Sequence, residues 1–423
     1  MKKVAVIGAG WAGCAAAVEA TRQGNAVTLY DSARIAGGRA RRVDSQLNGE
    51  AIALDNGQHI LIGAYAETLR LMRDLDIDTD AALLRLPLTL QFPDGAGLKL
   101  PDWPAPFDAL AGILGARGWT LTDKWSTLKS AVRWQLSGFN CAPSLTVSEL
   151  CNTLSPGAMA QLIEPLCISA LNTPANRASA QVFLRVLRDA MFAESRGSNL
   201  LLPRLDLGGL LPDAAIEFME AHKGEVQLGT RVQGLTATDT GWAVESDGNA
   251  TFDAVILACP PPEAARLAES SGSAPADWLT QARGLAYEAI TTVYAHAPGA
   301  RLHLPMLALH NSAEAPAQFV FDRGQLEGPA GLLAFVVSAS EGDAATLTRQ
   351  VIAQANHQLG LALTPVQTIV EKRATFACTP GLVRPGADIA EGLFACGDYV
   401  EGPYPATLEG AVRSGLDAAR RLR

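Results

Sequence analysis

The residues that most restrict this chain are its first forty. Val4-Ala5-Val6-Ile7 runs into Gly8-Ala9-Gly10-Trp11-Ala12-Gly13, and the small residues Cys14–Val18 follow. A second apolar run, Ala26–Tyr30, stops on Asp31. This order predicts a strand, a glycine turn, a helix, a second strand and an acidic stop, the βαβ unit that binds a dinucleotide containing ADP. Gly8 permits the tight turn, Gly10 lets backbone approach a pyrophosphate, and Gly13 lets the helix pack close to the sheet. The N–H groups that open the helix, at Trp11 and Ala12, face the phosphates. Asp31 is placed to accept hydrogen bonds from the adenosine ribose, and its charge disfavours a 2′-phosphate. The motif alone does not choose between NAD and FAD.

Gly37-Gly38-Arg39 narrows that choice. The stretch from Val4 to Arg39 resembles the start of the flavin amine oxidase and phytoene desaturase superfamily, where an acid ending the second strand is soon followed by GGR. The resemblance implies FAD, with Gly38 and Arg39 lying along its pyrophosphate; a guanidinium suits phosphate oxygens. The fold it implies is α/β: a Rossmann-like FAD-binding domain of the GR2 flavoprotein type with an interleaved α+β substrate domain. Residues 1–78, 205–275 and 380–423 are assigned to the first, and 79–204 and 276–379 to the second. A chain of 423 residues is long enough for two cores.

Composition removes other classes. A net charge of −9 with no basic block argues against a nucleic-acid partner. Met1-Lys2-Lys3 is too short to open a signal peptide, and no apolar run reaches spanning length, so a cytoplasmic protein is expected. The seven cysteines form no CxxC pair or metal-like cluster, so reduced thiols and no metal are expected.

Further along, Ala51–Leu54 breaks into Asp55-Asn56-Gly57-Gln58-His59. In flavoproteins of this superfamily the matching segment runs beside the isoalloxazine ring. Gly57 and Gln58 would then offer backbone and amide donors, and His59 is either a proton donor near the reacting carbon or a packed histidine. Helical spacing predicts a helix over Ala66–Asp74, and Leu83–Leu100 reads as short strands around turns. Trp103, Phe107, Leu110, Ile113, Leu114 and Trp119 would make an apolar patch suited to a lipid boundary if exposed; the alternative is an ordinary packed helix. Residues 123–202 read as helices, one starting at Thr146–Glu149, and the aliphatic stretch from Met159 to Leu171 suits the wall of a hydrocarbon cavity.

The stretch Val226–Leu235 reads as a strand carrying Val232, whose backbone would contact the adenine if the family pattern holds. A hairpin over Gly241–Asp253 and a buried parallel strand over Ala254–Pro260 follow. Ala289–Ala295, Gln318–Phe321 and Gly331–Ser338 suggest an antiparallel sheet, Ala344–Leu359 a helix and Thr368–Thr375 a strand. Within Glu391–Tyr399 a strand delivers Gly397 and Asp398 to a sheet edge where ligands bind in open α/β folds. Pro405–Ala411 opens a final helix with a basic end, Arg420, Arg421 and Arg423. This resembles the superfamily's C-terminal FAD motif. It implies Asp398 on the ribityl chain or nearby hydroxyls, and N–H groups around Thr407 and Leu408 facing the flavin pyrimidine. Cys396 lies inside the strand, so no covalent flavin is expected.

Four segments together narrow the subgroup: Leu54–Gly63, Leu171-Asn172-Thr173-Pro174, Ala374-Thr375-Phe376 and Tyr404–Ala411. They resemble the squalene-associated FAD-dependent desaturases, the hydroxysqualene dehydroxylases of bacterial hopanoid synthesis. The resemblance implies a reduction, in which hydroxysqualene and reduced FAD give squalene, water and oxidised FAD. The hydroxyl is allylic, so its protonation and loss leave a delocalised cation for a hydride to quench in a dry pocket. Candidates for the proton are His59 or a water it holds, with Glu409 or Tyr399 behind. The implied partners are an apolar C30 isoprenoid, an electron donor of unspecified identity and a membrane surface, with the protein peripheral on the inner face of the cytoplasmic membrane. Two readings stand beside this one: a carotenoid-type desaturase using the fold in the oxidising direction, and a non-catalytic FAD-containing squalene carrier. With 6% aromatic residues, the case for an amine-binding aromatic cage is thin.

Overall fold

The computed structural model describes residues 1–193 and 196–422; Arg423, expected at the basic end of the last helix, lies outside the described residues. Its central sheet has six strands, in the order Glu225–Leu228, Ala26–Asp31, Lys3–Ile7, Ala254–Leu257, Leu393–Ala395 and Asp388–Ala390. The first five run parallel and the last is an antiparallel edge. Lys3–Ile7 sits inside the sheet with both faces covered, which is why Val4, Ala5 and Val6 are all apolar and fully buried. Segments far apart in sequence therefore end on one edge: Gly8, Asp31, Ala258 and Gly397 all lie at or just past the C-terminal ends of parallel strands.

Close approach of backbones sets this geometry. A Cβ at Gly13 would overlap the Gly8 carbonyl oxygen, and one at Gly8 would lie 2.6 Å from the Ala258 carbonyl oxygen. The last helix, Leu408–Arg420, packs on the first, Trp11–Arg22, so tightly that a Cβ at Gly415 would overlap the Ala12 carbonyl oxygen. One expectation needs correction here. The strand expected to carry Val232 stops at Leu228, because Gly229 takes φ +75° and turns the chain. Gly229 and Thr230 then donate to the carbonyls of Ala33 and Asp31, and Val232 is buried in the connection that follows.

The second large sheet is antiparallel, in the order Met306–Ala308, Phe319–Asp322, Leu332–Ser338, Tyr287–His296 and Thr364–Phe376. Side chains alternate across it. Val293, Ala295 and Phe335 pack under the Ala344–Leu359 helix with Leu347 and Val351. Tyr294, Ala334 and Val336 join the opposite core, which continues into the helical region. That region contains Phe107–Gly115, Leu121–Leu136, Glu164–Leu171 and Ala180–Arg188, with π-helical turns at Met159–Ile163 and Asp189–Ala193. Its exit strand, Leu200–Pro203, pairs with Leu61–Ile62 and Leu83–Leu86.

The apolar stretch from Trp103 to Trp119 divides. Trp103, Phe107, Leu110 and Leu114 are exposed, while Ile113 and Trp119 turn inward and are buried. Among the described residues, no helix is long and apolar enough to cross a membrane, and no group of acidic, histidine or cysteine side chains is arranged to hold a metal. All seven thiols are free.

Candidate active site

A cavity of about 720 Å³ opens along the C-terminal edge of the parallel sheet. It starts between Asp31 and Val232, passes Gly10–Ala12 and Gly38–Arg39, and reaches Gly57–His59, Gly397–Tyr399 and Thr407–Leu408. Beyond His59 its walls turn apolar, with Leu166, Ile168, Phe183, Leu187, Leu200 and Phe319. Of the residues singled out in the sequence, Gly8 also lines it, whereas Gly13 and Glu409 do not. Gly13 acts by packing alone.

The first half has the features of an anion cradle. The Trp11–Arg22 helix starts on Gly10 with no side-chain cap and no acid in its first turn, so no side chain takes up the N–H groups that open it. A Cβ at Gly10 would come no nearer than 3.9 Å to any group outside its neighbours, the Gly38 Cα. The fold therefore does not demand glycine there; a group lying in the cavity would. Trp11 donates from Nε1 to the Ala40 carbonyl at 3.0 Å, and Gly37 donates to the Ala9 carbonyl, which pins the GGR segment to the glycine turn. Asp31 accepts from Ala9 N at 2.6 Å and Ala33 N at 2.8 Å, so it braces the turn while lining the cavity.

The second half joins the chain's two ends. Arg39, expected beside a pyrophosphate, pairs with Asp398, expected on a ribityl chain, and also donates to the Ala374 carbonyl at 2.8 Å. Burial opposes the guanidinium charge, but Asp398 outweighs it and holds the Arg39 pKa above its ordinary value. Asn56 donates from Nδ2 to the Arg39 carbonyl and to Glu371, both at 3.1 Å. At Gly57 a Cβ would meet only ordinary contacts, 3.7 Å from His59 Cε1 and from Thr292 Oγ1, so this glycine too leaves room for something in the cavity.

His59 Nδ1 lies 2.7 Å from the Gly57 carbonyl. Burial lowers its pKa below the ordinary histidine value, Arg39 adds to that, and the Gly57 carbonyl opposes it. The ring is therefore neutral near pH 7, with Nδ1–H donated to Gly57 and Nε2 left as an acceptor. Tyr399 is fully buried, lines the cavity and has no partner for its hydroxyl; burial raises its pKa well above 10, so it stays an O–H donor. Glu409 needs correction as a proton donor. Its carboxylate has no exposed surface and accepts from Thr68 Oγ1, Thr68 N, Glu67 N and Arg413 Nε. One residue past Leu408, the helix has already rotated it towards the Ala66–Asp74 helix and away from the cavity.

Sequence reasoning missed two supports. Arg323 is 5% exposed and donates from Nη1 to Gln58 Oε1 at 3.2 Å, so a buried cation backs the loop from the second sheet. Asp55, just before the loop, keeps one carboxylate oxygen without a partner; burial raises its pKa to about 6, partly countered by Arg323. A clue existed for a third. Asn172 and Thr375, in two of the segments that carried the subgroup resemblance, hydrogen-bond each other at 3.0 Å and both line the cavity.

Helix N–H groups that no side chain caps beside Gly10, unfilled space at Gly10 and Gly57, and the unpartnered Tyr399 hydroxyl fit a dinucleotide lying along this sheet edge. Fold and site together define an oxidoreductase that uses FAD. More narrowly, residues 11–423 match the family of flavin containing amine oxidoreductases, and the chain belongs to it. Hydroxysqualene dehydroxylase of Rhodopseudomonas palustris is 29% identical over 99% of this chain and 97% of its own. Zeta-carotene desaturase of Zea mays is 38% identical, over 18% of this chain and 13% of its own. The crystal structure of a putative protoporphyrinogen oxidase from Exiguobacterium has the same fold, with a TM-score of 0.71 at 17% identity over 100% of this chain and 98% of that one.

Proposed function

We propose that this enzyme removes the hydroxyl of hydroxysqualene reductively: hydroxysqualene and reduced FAD give squalene, water and oxidised FAD. The observation that carries the reading is the change of lining at His59, where polar groups give way to apolar walls suited to a hydrocarbon. The near-full-length likeness to a hydroxysqualene dehydroxylase supports it over the desaturase reading, whose relative matches only a short stretch.

When bound, reduced FAD supplies a hydride. Asp31 and the Val232 backbone would hold the adenosine, and the Gly10–Ala12 N–H groups the pyrophosphate. The Gly57–Gln58 segment and the start of the last helix would hold the ring. Neutral His59 would orient the substrate hydroxyl, or a water, through Nε2. Tyr399 supplies the O–H at which a proton can be held next to the leaving oxygen. The apolar end excludes water from the cation left behind.

An anaerobic experiment tests this. Photoreduced enzyme mixed with hydroxysqualene should regain its oxidised flavin spectrum and form squalene in equal amount. Tyr399→Phe should slow that single turnover by about a hundredfold, and His59→Ala by at least about tenfold. If the flavin stays reduced with hydroxysqualene, while oxidised enzyme is bleached by a carotene precursor, the desaturase reading replaces this one. No flavin change with either substrate would leave the carrier.

A further inference from the structure

The Leu121–Leu136 helix is packed inside out. Its face towards the protein carries Asp123, Thr127, Ser130 and Trp134, all buried. Asp123 is held there by Thr120 and by the Ser155 hydroxyl at 2.6 Å. The opposite face carries Leu121, Trp125, Val132 and Leu136, exposed by 85%, 72%, 55% and 84%. At 100° per residue these four fall within an arc of about 60°. Lys124 flanks the arc on one side, and Lys129 and Arg133 flank it on the other.

The neighbouring Phe107–Gly115 helix extends the surface with exposed Phe107, Leu110 and Leu114, and Trp103 lies just before it. Lys124 Nζ donates to the Leu114 carbonyl at 2.7 Å and ties the two helices together. An exposed apolar face of this extent, rimmed by charge, marks a surface that meets a membrane or another protein.

We propose that this two-helix face seats the enzyme on a bilayer containing anionic phospholipid. The apolar arc enters the acyl boundary, the indoles of Trp103 and Trp125 sit at headgroup level, and Lys124, Lys129 and Arg133 reach the phosphates. In a chain of net charge −9, a cationic rim around an apolar stripe is complementary to such a surface. A second copy is a poor occupant, since a two-fold contact through this face would set the same three cations against each other. The preference for lipid over another protein rests on the proposed C30 substrate, which dissolves in a bilayer.

Co-sedimentation of the FAD-loaded enzyme with vesicles tests the proposal without turnover. Phosphatidylcholine vesicles containing phosphatidylglycerol should retain it, pure phosphatidylcholine much less, and added salt should weaken binding. The triple variant Leu121→Ser, Trp125→Ser, Leu136→Ser should lose about tenfold or more in vesicle affinity, with FAD content and melting temperature unchanged. Lys129→Glu with Arg133→Glu should erase the preference for phosphatidylglycerol. The idea is overturned if the wild type ignores both vesicles or the triple variant binds as the wild type does. It is equally overturned if the triple variant instead converts a dimer to a monomer in sedimentation velocity without lipid. Turnover of detergent-dispersed hydroxysqualene, measured separately, reports on the proposed reaction whatever the vesicles show.

Discussion

Replacing Glu409 with glutamine separates a structural carboxylate from a chemical one. In the structure one carboxylate oxygen accepts from Thr68 N at 2.9 Å and Thr68 Oγ1 at 2.7 Å, and the other from Glu67 N at 3.1 Å and Arg413 Nε at 2.6 Å. An amide keeps one acceptor oxygen, so two of these four donors would face an NH₂ group. Bonds to a charged acceptor contribute about 1.5–3 kcal/mol each. Arg413 is partly exposed and recovers some hydration, so the lower end applies and the loss is about 3 kcal/mol. At about 2.1 cal/mol/K of unfolding entropy per residue, a chain of 423 residues shifts by roughly 1 °C per kcal/mol, so the holoenzyme should melt about 3 °C lower. Thermal unfolding followed by circular dichroism reads the shift. The fraction still folded should carry FAD and reoxidise it with hydroxysqualene at the wild-type rate. Unchanged melting together with a hundredfold loss of single-turnover rate would falsify this account and return Glu409 to the chemistry.

Two glycines of the first turn should behave differently. Gly13→Ala overlaps a backbone oxygen and should give insoluble or flavin-free protein, whereas Gly10→Ala should fold with near-normal melting and lose FAD affinity, read from the flavin-to-protein absorbance ratio. Asp55 should leave a mark on the pH dependence of stability. Its folded-state pKa of about 6 lies above the ordinary 3.8, so the native protein holds a proton that the unfolded chain releases, and stability falls as pH rises through that interval. The contribution is about 3 kcal/mol across the interval. Asp55→Asn, which keeps an acceptor for Leu207 N, should lack this slope, so the melting-temperature gap between variant and wild type should move in the variant's favour between about pH 4 and about pH 7. A constant gap would sink the assignment.

What was legible in the sequence was whatever local chemistry dictates. Gly8 and Gly13 could be placed because a strand-turn-helix of that size allows no Cβ at those points, and the Ala66–Asp74 and Ala344–Leu359 helices because their apolar spacing matches the helical period. Val232 was given to a strand because its neighbours are β-formers; the turn at Gly229 depends on bonds to Ala33 and Asp31, two hundred positions earlier in the chain. Glu409 was misjudged because being next to Leu408 in sequence says nothing of the 100° rotation per residue that aims it elsewhere. Arg323 resembles any arginine after a strand, and only the docking of the second sheet buries it against Gln58. In Leu121–Leu136 the two-sided pattern is visible, but a pattern cannot say which side meets the protein.

The contact between Gly415 and Ala12 has a consequence for how the enzyme is made. Gly397, Asp398, Tyr399, Thr407 and Leu408 of the cavity wall come from residues 393–423, where the strand Leu393–Ala395 pairs with Ala254–Leu257 and the final helix lies on the first. Without those residues the opening βαβ unit has no Asp398 for Arg39 and no Leu408–Arg420 helix against Trp11–Arg22. A copy cut before Leu393 should therefore purify without bound flavin, read from its absorbance near 450 nm as about zero.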